Sequence, residues 1–452
     1  MKRSDSLQGD LVGGITSAVI TLPVAIACGL LAFSSLGPGY TSMAAKAGIY
    51  GAILASIAGA LTGSAPTQIT APKLSLSMIL AVLVGSLVQT PPLPGSASEQ
   101  IPLILTLVFT AVFMAGLVQL LFGVFRIGHL VKFIPFSVIH GYLNAIAFLI
   151  IFNQAQFFIG TGDVSVNALL KGDLFVQSPT VIVASCTVLI MVVCGKFVPT
   201  LSGSLPALLF GAILHLILKN YVAPGSLGLT IGDIPVGLPQ IEFVEVGQLA
   251  QVSILLQNLP KLIGSALSMA LLSSISTLLC VVIVDSMSPK RLCGNKELVS
   301  IGICNMLLGG MGGLVSAGSA SRTAINIEMG ARSRLSSVVH GLFLLLVVTL
   351  LGPVVGKIPL SVVAAILIVT AVQMIVKSTK EFGWGRLMEA GERWEFFNNL
   401  LVVSSVVVVA LFYNLITALF AGIICSFLLF ASTISKNTIK RVCHVEVFRS
   451  GK

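Results

Sequence analysis

Residues 64–73 read SAPTQITAPK, and residues 312–322 read GGLVSAGSASR. Each stretch interrupts a long apolar run with prolines, glycines or hydroxyl side chains, which do not favour a lipid-facing helix. In the first stretch a helical pattern resumes at about Pro72, because proline is favoured in the first turn of a helix. In the second it resumes near Ala320, where a serine can cap the helix. We therefore predict two broken spans, each with an extended half and a half-helix.

The rest of the chain is a succession of apolar runs. Hydrophobic residues make up 56% of its 452 residues and charged residues only 9%, whereas soluble domains carry about 25% charged residues. Runs that can cross a bilayer lie at about 11–33, 42–62, 68–88, 101–124, 133–158, 178–196, 203–218, 261–285, 296–314, 315–332, 336–356, 360–376, 396–413 and 415–432. The predicted fold class is an all-α polytopic membrane protein with fourteen spans in a lipid bilayer.

The two broken spans are the third and the tenth. Because they are an odd number of spans apart, they enter the bilayer from opposite sides, as in an inverted repeat. We predict a first repeat of seven spans over residues 1–245 and a second repeat of seven spans over 246–435. A basic cytoplasmic tail is predicted at 436–452.

Lysine and arginine concentrate in every second turn between spans. These turns lie near residues 126–132, 196, 290–296, 332–334, 377–393 and 436–441. By the positive-inside rule, both termini are expected in the cytoplasm and the protein in the cell (inner or plasma) membrane. The net charge of +10 is not gathered into a patch with stacking aromatics, so no nucleic-acid partner is expected.

Lys73 and Arg322 are the two basic residues that the pattern places at membrane depth, each in the first turn of a half-helix. Helix N-termini present unsatisfied N–H groups and a positive dipole end, which attract anions. The predicted substrate-binding residues are Lys73, Gln68, Thr70, Ser276, Ser319, Ala320, Ser321 and Arg322. The alternative is that Lys73 or Arg322 snorkels or neutralises a buried carboxylate, and that Ser276 is a helix-packing residue.

No catalytic or metal-binding pattern is present in the sequence. The five histidines are scattered, neither GxSxG nor HExxH occurs, and the eight cysteines lack ligand spacing. We expect no enzyme activity, no cofactor and no metal, and we expect His140 and His340 to be buried packing residues. Glu328, within the tenth span, is expected to pair with Arg332 one helical turn later.

Several stretches resemble the SulP family of sulfate permeases and related anion transporters, over nearly the whole chain. The resemblance is carried by Asp10-Leu11, Gly13-Gly14, Leu22–Ala27, Gly63–Pro72, Gly232–Pro239, Asn295–Leu298, Gly302, Asn305, Ser321–Ala324, Asn326, Gly330–Arg332 and Val339–Gly341. It implies a seven-plus-seven inverted repeat in which a core domain moves against a gate domain like an elevator. It also implies a small inorganic anion as substrate, such as sulfate, bicarbonate or chloride, or else a small dicarboxylate, and a homodimer.

The chain departs from this family pattern at three places. Ser276 stands where coupled members often have an acidic residue, and Cys280 stands where sodium-driven bicarbonate members have a hydroxyl, which argues against a sodium site. Lys73 stands where the residue is usually small or hydroxylated, and we hypothesise that its ammonium replaces the charge of a coupling cation. The basic tail stands where members usually continue into a cytoplasmic STAS domain, so either that domain is absent or the sequence is a piece of a longer chain.

The predicted function is a secondary transporter of small inorganic anions that works by exchange or uniport. An anion channel of the same architecture also suits the missing carboxylates. A nucleobase-type permease of the related fold would be expected to have an acidic residue where Ser276 stands. A non-transporting membrane sensor or scaffold has no feature in its favour, yet no residue excludes it.

Overall fold

The computed structural model describes residues 3–63, 65–89, 97–126, 136–160, 177–197, 203–222, 226–232, 252–287, 293–381, 393–413 and 417–429. These residues contain fourteen α-helices and two short strands. In chain order they are α1 (Arg3–Ala32), α2 (Thr41–Thr62), β1 (Thr70–Pro72), α3 (Leu74–Val88), α4 (Ala97–Val124), α5 (Phe136–Ile159), α6 (Ser178–Phe197), α7 (Ser204–Leu218), α8 (Val252–Met287), α9 (Gly294–Gly310), β2 (Ser316–Gly318), α10 (Ala320–Glu328), α11 (Leu335–Gly356), α12 (Leu360–Glu381), α13 (Arg393–Phe412) and α14 (Thr417–Leu429).

Each of the fourteen predicted spans contains one of these helices, so the predicted fold class is confirmed. By length and apolar composition, eight of the described helices can cross a membrane on their own. The largest difference is α8, which begins at Val252 instead of residue 261 and contains Pro260. Its first turns carry polar residues and a proline, so hydropathy alone places the start too late.

The third and tenth spans are interrupted where the sequence predicts. β1 and β2 pair in antiparallel register, with Thr70 opposite Gly318 and Pro72 opposite Ser316. α3 and α10 each begin one residue after their strand. Because the strands are antiparallel, with Pro72 opposite Ser316 and Gly318 opposite Thr70, the two helices start from opposite ends of the strand pair.

Two details of this prediction are wrong. Pro72 lies in β1 and α3 begins only at Leu74, because the fixed φ of proline suits an edge strand as well as a helix start. Ser319 is the N-cap residue of α10, but its side chain makes no capping hydrogen bond. Its backbone N–H instead donates to the Ile69 carbonyl, 2.9 Å away.

The helices around the strand pair approach closely at glycines. A Cβ atom on Gly309 of α9 would lie 2.5 Å from the Phe113 nitrogen of α4, and one on Gly302 would lie 2.5 Å from the Leu120 nitrogen. Small residues at such crossings let backbones pack directly in a membrane protein. α4 and α9 therefore form a tightly packed pair next to β2.

The chain divides into two compact units, residues 1–131 with 150–371, and residues 132–149 with 372–452. The first unit contains both strands and both half-helices. In the second, His140 Nδ1 lies 2.9 Å from the Ser378 hydroxyl. Each unit takes residues from both predicted repeats, whose boundaries stay a prediction. The predicted tail at 436–452 and most of Gly232–Pro239, one of the stretches that carry the family resemblance, lie outside the described residues.

Candidate functional site

Hydroxyl side chains of α8 bind the backbone of β2. Ser273 Oγ donates to the Ser316 carbonyl at 2.8 Å, and Thr277 Oγ1 accepts from the Gly318 N–H at 3.1 Å. These two residues are one helical turn apart, so they lie on the same face of α8. Because water is absent from the bilayer core, a strand there needs protein partners for its backbone groups. α8 provides them along the edge of β2.

Asn305 of α9 fixes β2 as well. Its Oδ1 accepts from the Ser316 N–H at 2.8 Å, and its Nδ2 donates to the Ser316 carbonyl at 3.0 Å. The same Nδ2 donates to Gln119 Oε1 of α4 at 2.7 Å. Ser316 is thus held by a two-point contact, which gives the strand pair a defined position in the unit.

The residues that precede β1 are anchored by a buried carboxylate. Glu297 Oε1 accepts from Gln68 Nε2 at 2.8 Å, and Glu297 Oε2 accepts from the Ala65 N–H at 3.1 Å. Gln68 in turn packs against Gly318, since a Cβ on that glycine would lie 3.1 Å from the Gln68 amide carbon. The sequence reasoning included Gln68 but missed Glu297. Its signal is an acidic residue in the first turn of a span whose other charged residue is the adjacent Lys296.

Lys73 lies at the junction of β1 and α3. It is the N-cap residue of α3 and has extended backbone angles. Its ammonium donates a hydrogen bond to the Ser276 hydroxyl, which lies 3.5 Å from the Gly318 carbonyl. The side chain is half-buried. Two predicted site residues, Lys73 and Ser276, are therefore in direct contact between α3 and α8.

Arg322 is in the first turn of α10 and is only 6% exposed. Within the described part of the chain, its Nη1 atom has no hydrogen-bond partner. The groups in electrostatic range are the Cys28 thiol of α1 and the His340 ring of α11. The alternative that Arg322 neutralises a buried carboxylate is therefore not supported by its surroundings. Lys73 and Arg322 have different neighbours, α8 in one case and α1 with α11 in the other.

The remaining predicted site residues divide into buried and accessible ones. Thr70 is buried and faces α2, since a Cβ on Gly59 would lie 2.8 Å from its hydroxyl oxygen. Its place in the site stays a prediction, with its hydroxyl directed toward α2 in this structure. Ser319 is buried, Ala320 is half-buried and Ser321 is exposed. These three form the first turn of α10 and its cap.

The predicted ion pair between Glu328 and Arg332 is wrong. α10 ends at Glu328, so the one-turn spacing that would bring the two side chains together is lost. Both residues are exposed, and the backbone N–H of Arg332 donates to Asp10 Oδ1 at 2.7 Å. Among the described residues, no group of three or more His, Cys, Asp or Glu side chains is arranged to hold a metal ion.

Comparison with known proteins adds to this geometry. The profile described as "Sulfate permease family" matches residues 7–397. The chain is 29% identical to the putative sulfate transporter YvdB of Bacillus subtilis, over 95% of this chain and 75% of that protein. It is 31% identical to the bicarbonate transporter BicA of Synechocystis, over 92% of this chain and 68% of that protein.

Two solved structures have a similar fold. The transmembrane domain of a cyanobacterial bicarbonate transporter BicA matches with a TM-score of 0.72 and 29% identity, over 93% of this chain and 97% of that chain. The overall structure of SLC26A9 matches with a TM-score of 0.77 over 96% of this chain and 66% of that chain. At 16% identity, the second comparison concerns the fold alone.

Proposed function

The chain belongs to the sulfate permease family, and on that premise we propose that it carries small inorganic anions through the strand-pair site. The observation that carries the proposal is Arg322. Its guanidinium is buried and its Nη1 atom has no partner among the described residues. A cation at membrane depth is costly unless something compensates it, so an anion that enters the site is stabilised.

Two further features support an anion at this site. α3 and α10 each begin one residue after a strand of the pair, and each N-terminus contributes a partial positive charge and unsatisfied N–H groups. Ser321 is accessible in the first turn of α10 and offers a hydroxyl donor. The same combination of dipole ends and neutral donors is known to hold anionic substrates in transporters with broken helices.

Lys73 is proposed to act as a tethered cation. Its bond to Ser276 puts an ammonium where an acidic residue and a bound cation would otherwise stand between the third and eighth spans. The charge is then part of the protein and does not have to be supplied by sodium. Anion transport is accordingly proposed to need no sodium ion.

Sulfate and bicarbonate are the first substrates to test, because the relatives with those names align with more than nine-tenths of this chain. We propose exchange or uniport in which the unit that holds the strand pair moves like an elevator. A homodimer with both termini in the cytoplasm is part of the same proposal.

The test is transport by the purified protein in liposomes, with radiolabelled sulfate, bicarbonate and chloride outside and each anion in turn trapped inside. Saturable uptake that is accelerated by trapped anion, and that is equal in sodium and potassium buffers, is the expected result. Large single-channel currents would instead identify the anion channel. Folded protein that moves none of the three anions would contradict the proposed function.

Variants of Arg322 test the site itself. Arg322→Gln should abolish saturable uptake, and Arg322→Lys should retain part of it, because the positive charge remains. Arg332→Gln is the matched control, since that residue is exposed and undergoes the same change. Equal losses in Arg322→Gln and Arg332→Gln would show that charge in general, and not the buried site, limits transport.

A further inference from the structure

The hydrogen bonds of Thr21 determine which nitrogen of His340 carries a proton. Thr21 Oγ1 donates to the Ser17 carbonyl at 2.7 Å and lies 2.9 Å from His340 Nε2. A hydroxyl group has one proton, and that proton is used on Ser17. The Thr21 oxygen must therefore accept from His340, so Nε2 bears the hydrogen.

The other ring nitrogen of His340 is then an acceptor. The residue is fully buried in α11, and a positive charge on its ring would be costly there. The ring is accordingly neutral, with a lone pair on Nδ1. In the part of the chain that the structure describes, this Nδ1 atom has no hydrogen-bond partner.

His340 Nδ1 and Arg322 Nη1 are thus complementary. In the described part of the chain, one is a buried acceptor without a donor and the other is a buried donor without an acceptor, and their helices, α10 and α11, both pack against α1. Buried polar groups rarely stay unsatisfied in every state of a protein. Rotation of the long Arg322 side chain toward α11 is the simplest movement that satisfies both atoms at once.

We propose that His340 is a positioning residue that holds Arg322 while the site is empty. Nδ1 accepts a hydrogen bond from the guanidinium, and an incoming anion takes the guanidinium away from it. Thr21 is the second residue of the proposal, because its oxygen accepts from Nε2–H and so keeps Nδ1 unprotonated. This inference rests on the proposed function, since it requires an anion that competes for Arg322.

The proposal predicts a change in anion affinity that is opposite to the change caused by loss of a structural residue. An acceptor that holds Arg322 in the empty state weakens anion binding, so its removal should strengthen binding. Loss of one hydrogen bond to a charged group changes an equilibrium by about tenfold. A residue that merely supports the structure would give the opposite result, a weaker site.

Two substitutions of His340 separate its nitrogens. In His340→Gln the longer amide can still reach Thr21, but no acceptor is left near the position of Nδ1. In His340→Asn the amide oxygen replaces Nδ1, and the contact with Thr21 is lost. The KM for sulfate or bicarbonate uptake in liposomes should fall about tenfold in His340→Gln and stay near the wild-type value in His340→Asn.

Thr21 provides an independent pair in case a His340 variant does not fold. Thr21→Val removes the acceptor for Nε2–H, so the ring can take the tautomer that presents N–H to Arg322, and KM should again fall. Thr21→Ser retains the hydroxyl and should keep the wild-type KM. An unchanged or raised KM in both His340→Gln and Thr21→Val would overturn the inference. If the folded wild-type protein moves no anion, the proposed function fails first, so the two failures are distinguishable.

Discussion

Lys73 shows how one residue can change the chemistry of a shared architecture. In a span of otherwise apolar and hydroxylated residues, its ammonium binds Ser276 of α8 and brings a fixed charge next to the strand pair. Lys73 was predictable as a candidate because a charged side chain inside an apolar run is conspicuous, but its bond to Ser276 was not predicted. The orientation of Thr70 toward α2 and the contact between Gln68 and Glu297 were not predictable, because they depend on neighbours distant in sequence.

Lys73→Ala should raise the KM for the transported anion by about tenfold or more, since it removes a charged donor from the site. The measurement is concentration-dependent uptake in liposomes. Lys357→Ala is the control, because Lys357 is exposed at the end of α11. An unchanged KM in Lys73→Ala would contradict the role of the tethered cation.

The double variant Lys73→Ala with Ser276→Asp should make transport sodium-dependent. Removal of the ammonium leaves space beside α8, and the new carboxylate supplies an oxygen ligand and a negative charge for a cation. Uptake is compared in sodium and potassium buffers. Ser276→Asp alone should weaken uptake without sodium dependence, because the introduced carboxylate would pair with Lys73. Equal uptake rates of the double variant in sodium and potassium buffers would contradict the expected sodium dependence.

Glu297→Gln should lower the free energy of unfolding by about 1 to 3 kcal/mol, because an amide in place of the carboxylate turns a donor toward Gln68 or Ala65. Thermal unfolding in detergent measures the effect. Glu328→Gln is the matched control at an exposed position and should unfold like the wild type. Equal stability of both variants would show that Glu297 does not anchor the segment before β1.

At the scale of elements, hydropathy predicts where helices lie but not where they begin. The apolar runs locate all fourteen helices, yet α3 starts after Pro72 and α8 starts before its apolar run. Both errors come from proline-containing segments, since Pro72 lies in β1 and Pro260 lies in the first turns of α8. The partners of β2, namely Asn305 and the α8 hydroxyls, likewise have no local signal.

The crossing of α4 and α9 gives a test with adjacent residues. Gly309→Ala would place a Cβ atom 2.5 Å from the Phe113 backbone nitrogen, whereas a Cβ on Gly310 would meet no atom within 4 Å. Gly309→Ala should destabilise by about 1 to 3 kcal/mol or more through overpacking. Gly310→Ala should be neutral in the same thermal unfolding assay. Similar behaviour of the two variants would mean that the helices do not cross at Gly309.

At the scale of the whole molecule, the sequence predicts an orientation that Cys293 can report. Cys293 is exposed at the N-cap of α9, in a turn whose lysines and arginines are predicted to face the cytoplasm. In a Cys443→Ser background, a membrane-impermeant maleimide should label Cys293 in inside-out vesicles and not in right-side-out vesicles. The reverse pattern would invert the predicted topology. Composition and charge suffice for this prediction, but the two compact units were not predictable, because each joins distant parts of the chain.

Because β1 and β2 are hydrogen-bonded to each other, Lys73 and Arg322 belong to one structural piece and would move together through the membrane potential in the proposed elevator movement. An elementary charge that crosses the full membrane potential changes energy by about 2.3 kcal/mol per 100 mV. In that proposed movement, the empty site would carry two positive charges through part of the membrane potential. A bound monovalent anion would leave a net charge of one, and a divalent anion such as sulfate would leave none. The voltage dependence of the loaded and empty movements therefore distinguishes the valence of the transported ion.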